Sequence, residues 1–122
     1  MGYSPFEKLD VWQKAHELTL DVYKLTDKFP TRENYRITNQ LCRAVSSVCA
    51  NIVEGNARGS FKDYLRFLFI ARGSLEETRY FLILSKDLGY LTDEQFKVTN
   101  NKSIEIGKML NGLINSIKKK CN

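Results

Sequence analysis

Apolar residues recur along this chain at steps of three and four, with breaks at Pro30, Gly59 and Gly89. That spacing places them on one face of a helix, so the pattern predicts four long helices. The first covers about 9–29, with Trp12, Ala15, Leu18, Val22, Leu25 and Phe29 on its apolar side and Lys14, Glu17, Asp21, Lys24 and Lys28 opposite. Its start is open: Ser4-Pro5-Phe6-Glu7 has the form of a capping box, and a start near Lys8 fits as well. The second covers about 32–57, the third 60–88 and the fourth 93–119. Ser60 with Asp63 reads as an N-terminal cap, Gly89 as a C-terminal stop, and Thr92-Asp93-Glu94-Gln95 as the cap of the last helix. Phe96, Ile106, Leu110, Leu113 and Ile117 give that helix a buried face, although its first half is polar.

Short connections and no strand signals predict one all-α domain over residues 1–122, an antiparallel up-down-up-down four-helix bundle. Gly73 and Gly107 each lie 17 residues from Tyr90, which puts them at one level of the last two helices. Close approach of the backbones there would offset the roughly 1 kcal/mol that a mid-helix glycine costs.

Two helices carry more pattern than a core requires. On the second, Ile37, Leu41, Ala44, Val45, Val48 and Ile52 form the apolar face, and Gln40, Arg43, Ser47, Asn51, Glu54 and Arg58 form a polar row beside it. Cys42, Cys49 and Val53 make a third, weakly apolar strip. On the third helix, Phe61, Leu65, Leu68, Leu75, Leu82 and Ile83 share one arc, whereas Phe67, Ile70 and Phe81 point nearly opposite. A helix apolar on two sides needs two partners. Burying a Phe or Ile is worth roughly 1.5–3 kcal/mol, so Cys42, Cys49, Val53, Phe67, Ile70 and Phe81 are candidate residues of a homo-oligomer interface.

With 43% hydrophobic and 27% charged residues, the 122-residue chain has the composition of an ordinary globular domain. It has no apolar run of membrane-spanning length and no signal-peptide layout, so no membrane association and a cytoplasmic location are expected. The odd set of three cysteines is no disulfide framework, and Cys42 and Cys49, seven residues apart on one helix, cannot bridge. No metal site or cofactor is expected, because the cysteines lack ligand spacing and the one histidine, His16, stands alone. Glu76 and Glu77 diverge by about 100° and do not form an acid/base pair, and no phosphate loop is present, so no enzymatic activity is expected.

The net charge of +5 leans towards a polyanionic partner. Arg43, Arg58, Lys62 and Arg66 lie among amide and hydroxyl groups suited to phosphates and are the candidate nucleic-acid contacts, with Lys118-Lys119-Lys120 as a basic tail. Aromatic platforms interleaved with base-reading side chains are not evident. Arg72 and Arg79, close to the apolar arc of the third helix, call for partners, and Asn51, Glu54 and Glu76 are candidates for a buried polar network with them.

Ala50-Asn51-Ile52-Val53-Glu54-Gly55 and Ile70-Ala71-Arg72-Gly73-Ser74-Leu75-Glu76-Glu77 are distinctive together, and Leu9-Asp10-Val11-Trp12-Gln13-Lys14-Ala15 and Leu88-Gly89-Tyr90-Leu91 flank them. They resemble the bacterial four-helix-bundle proteins named for the intervening sequences of 23S rRNA genes, along almost the whole chain. The resemblance implies a homopentamer forming a barrel-like ring, and kinship with accessory proteins of the reverse transcriptase in diversity-generating retroelements, which are thought to bind nucleic acid through basic surfaces. It implies no enzymatic activity. Cys49 stands where many members carry proline, and Asn56-Ala57 replaces a more glycine-rich pair. The expected function is therefore that of an oligomeric bundle binding RNA or DNA through phosphate contacts. The alternative is a scaffold or adaptor that docks a protein partner such as a reverse transcriptase.

Overall fold

A computed structural model describes residues 5–121; the Ser4 end of the candidate capping box lies outside them. A 3₁₀ turn at Pro5–Lys8 leads into α1 (Asp10–Thr26), and α2 (Ile37–Asn56), α3 (Phe61–Asp87) and α4 (Asp93–Lys120) follow. Each helix packs on its neighbour in sequence and α4 closes on α1, which is the expected up-down-up-down bundle.

The helix ends follow from local chemistry. Ser60 Oγ accepts from the Asp63 N–H at 3.1 Å, starting α3 at Phe61, just after the Gly59 break. At the other end of α3, the Tyr90 N–H reaches the Ser85 carbonyl at 2.8 Å and the Gly89 N–H reaches that of Lys86 at 2.9 Å. This Schellman closure needs the positive φ of 83° that Gly89 supplies. Thr92 and Gln95 then form a reciprocal capping box for α4, each bond 3.0 Å long.

The second helix starts five residues later than its periodicity suggests. Thr31–Glu33 is a 3₁₀ turn, and Glu33 folds inward, only 5% exposed. Its carboxylate accepts from the Tyr90 hydroxyl at 2.6 Å and lies 3.4 Å from Arg36 Nε, which holds this segment in a turn ahead of α2.

Val11, Leu18, Val22, Leu41, Val48, Ile52, Leu68, Leu75, Leu82, Ile106, Leu110 and Ile114 form the core. The polar first half of α4 is packed as well: Thr99 and Ser103 are buried and turn their hydroxyls back onto the carbonyls of Gln95 and Thr99. Two packing expectations are corrected. A Cβ on Gly73 would meet nothing within 4 Å, so no close approach occurs there. The tight crossing is at Gly55, where a Cβ would lie 2.9 Å from Phe67 Cβ and 2.9 Å from Tyr64 Cδ1. Cys42 and Cys49 also have partners in the same chain, since they lie beside Thr26 and Thr19 of α1 at 3.5 and 3.4 Å. Their strip is the seat of α1, so the argument that it needs a second subunit falls away.

Candidate nucleic-acid interface

At one end of the bundle α2 finishes, α3 begins and α4 finishes, which brings three phenylalanines of α3 next to cations from all three segments. Arg58 and Arg66 lie over the Phe67 ring, 4.7 and 4.4 Å from its centroid. Arg72 and Lys118 lie 5.0 and 5.6 Å from the centre of Phe69, and Lys120 lies 5.4 Å from that of Phe61. Lys62, Asp63, Leu65, Arg66 and Phe69 line a shallow groove on this surface. Residues 54–72 and 115–121 together carry seven Lys and Arg against two carboxylates, Glu54 and Asp63. Those two pair with Arg58 at 3.3 Å and Arg66 at 3.7 Å. Among the described residues no carboxylate is at ion-pair distance from Lys62, Arg72 or the lysines at 118–120.

Three of the four basic candidates, Arg58, Lys62 and Arg66, therefore share this end. Arg43 does not: about 20 Å away along α2, it lines a separate polar groove with Asn39, Gln40, Ser47 and Glu77. The aromatic component was missed in the sequence. Phe61, assigned to the buried arc, is 46% exposed, and Phe69 is 37% exposed. The arc that faces the core runs instead through Tyr64, Leu68, Ala71, Leu75, Thr78, Leu82 and Ser85. A shorter hydrophobic step through Tyr64 and Ala71 was the available signal.

The candidate buried polar network is not assembled. Glu54 pairs locally with Arg58, Arg72 donates to Asn111 Oδ1 at 3.2 Å, and Arg79 pairs with Glu76 three residues before it, all on exposed or half-exposed surface. Asn51 instead donates to the Ser47 carbonyl and hydroxyl, and Ser47 meets Ser74 Oγ at 3.0 Å across the α2/α3 seam. Asn51, Glu54, Glu76 and Arg79 are held apart because each finds a partner within about one helical turn, while Arg72 turns to Asn111 of α4.

Of the candidate interface residues, Phe81 packs against the core, Phe67 is half-buried under its arginines and Val53 is half-buried. Ile70 stays 44% exposed, and Tyr80 and Ile83 on the same helix are also exposed. His16 is stacked on Trp12, ring centres 5.0 Å apart. No group of three or more metal-ligating side chains occurs among the described residues, and no described helix is long and apolar enough to cross a membrane.

Fold and surface define an all-α bundle with a cationic, aromatic end. The sequence matches the 23S rRNA-intervening sequence proteins over residues 7–112, and the chain belongs to that family. Its fold is similar to the crystal structure of a protein of unknown function from the S23 ribosomal protein family of Bacteroides thetaiotaomicron. The TM-score is 0.80 at 31% identity, over 86% of this chain and 95% of that one. Comparison with curated proteins gave no match.

Proposed function

We propose that this chain is a non-enzymatic cytoplasmic protein that binds RNA or DNA, chiefly through phosphate contacts at the end of the bundle formed by Arg58, Lys62, Arg66, Arg72 and Lys118–Lys120. The observation that supports this most is the excess of cations over carboxylates there, seven against two, on segments that the fold gathers to one place. A single site of this kind binds nucleic acid at about 10⁻⁴–10⁻⁶ M at physiological salt. Assembly of several copies raises that by avidity, and Ile70, Tyr80 and Ile83 offer α3 an exposed apolar surface for it. The solution mass of Ile70→Glu, expected to fall below that of the native protein, tests the assembly.

The binding surface is tested by titrating a structured RNA against two variants. Replacing Lys118, Lys119 and Lys120 together by Gln weakens binding, whereas Arg43→Gln, in the separate groove, leaves it unchanged. The reverse ranking moves the site to the α2/α3 groove, and no binding by the native chain removes the proposal.

A further inference from the structure

Phe61 and Phe69 leave much of their ring surface in solvent at this cationic end of the bundle. They stand eight residues apart on one helix, about 12 Å along its axis. That separation equals about three and a half rises of a stacked strand at 3.4 Å each. Phe67 is different, because Arg58 and Arg66 both lie over its ring and its Cβ is wedged against the backbone at Gly55. It is clamped, and serves to hold the two arginines.

Of the cations over the open rings, Arg72 is fixed beside Phe69 by its bond to Asn111 Oδ1, whereas the two lysines are held less firmly. Lys118 and Lys120 sit in the last turn of α4 with no carboxylate at ion-pair distance among the described residues, and a cation–π contact in water is weaker than a base–aromatic stack. A nucleobase can therefore displace either ammonium from its ring, and the released ammonium meets a phosphate of the same strand. A duplex cannot do this, since its base faces are already covered within the stack.

Resting on the function proposed above, we infer that this surface selects single-stranded over double-stranded nucleic acid. Phe61 and Phe69 each stack one base, and Lys118, Lys120 and Arg72 neutralise the phosphates beside them. Specificity of this kind is for unpaired strands and not for sequence, because every base has a π-face.

The test is fluorescence anisotropy with a labelled oligouridylate and a labelled duplex of equal length at one salt concentration. The native chain is expected to bind the single strand more tightly. Phe61→Ala and Phe69→Ala are each expected to lower that affinity about fivefold to a hundredfold while leaving duplex affinity as it was. Phe69→Trp keeps the stack, and its indole emission is expected to be quenched by oligouridylate, a readout that does not depend on the alanine variants. Equal affinity for both forms, alanine variants that weaken both or neither, or displacement of the strand by polyglutamate as efficiently as by unlabelled oligouridylate overturns the selectivity while phosphate binding stands. A native chain that binds neither nucleic acid overturns both.

Discussion

The Tyr90 hydroxyl donates a 2.6 Å hydrogen bond to Glu33 Oε2, tying the α3/α4 turn to the segment that starts α2. The two residues are 57 apart in sequence. This bond is the main reason the Glu33 carboxyl is held below its ordinary value of 4.5, with Arg36 and the Ile37 N–H adding to it and burial opposing. The same bond holds the Tyr90 hydroxyl above its ordinary value.

The sign of the pH dependence follows. A carboxyl with a depressed folded value contributes stability that is full above about 4.5 and is lost as pH falls through the depressed value. The raised phenol contributes stability that is full below 10 and is lost as pH rises through its folded value. Urea midpoints of the native chain and Glu33→Gln should differ at neutral pH and converge in strong acid. In a Tyr90→Phe background the advantage of Glu33 over Gln should be smaller and should be exhausted at a higher pH, because the folded carboxyl value moves back towards 4.5. Curves that stay parallel across the acid range would show that the contact carries no stability.

Gly55 and Gly73 should respond oppositely to alanine. At Gly55 the added Cβ falls 2.9 Å from two side-chain carbons and 3.2 Å from the Tyr64 carbonyl, which is backbone and cannot turn aside, so Gly55→Ala is expected to cost about 1–3 kcal/mol. At Gly73 the space is open, and Gly73→Ala is expected to gain about 1 kcal/mol of helix propensity. Thermal or urea unfolding of the two variants checks this; a stabilised Gly55→Ala would mean that α2 and α3 do not approach as described.

The three thiols should separate by rate. Cys121 is exposed, whereas Cys42 and Cys49 are half-buried beside α1, and burial pushes the Cys49 thiol up from its ordinary value. A thiol reagent at mildly alkaline pH is expected to modify Cys121 quickly and the other two slowly, because the thiolate is the reacting form. Fast labelling of Cys49 would place its strip on the surface and not against α1.

The architecture was legible because its signals are local. Ser60 with Asp63, Gly89, and Thr92 with Gln95 each declare a helix end within four residues, and the structure closes each end as that chemistry requires. The start of α2 was not legible, since Glu33 is drawn inward by Tyr90, a partner 57 residues further along the chain. The site was half legible. Arg58, Lys62 and Arg66 are close in sequence, but Lys118 over Phe69 and Lys120 over Phe61 join α4 to α3, and periodicity does not say which of two apolar arcs a neighbour will cover. The same ambiguity hid α1 behind Cys42 and Cys49.

The salt dependence of oligouridylate binding bears most directly on the reading of this end as a phosphate-binding surface. Each phosphate neutralised on a single strand lowers log K by about 0.7 per tenfold rise in salt, so contact with about three phosphates gives a slope of about −2 or steeper. The native chain is expected to show that slope, and the triple Lys118, Lys119, Lys120 to Gln variant a shallower one. A flat dependence, or no measurable binding even at low salt, would contradict it.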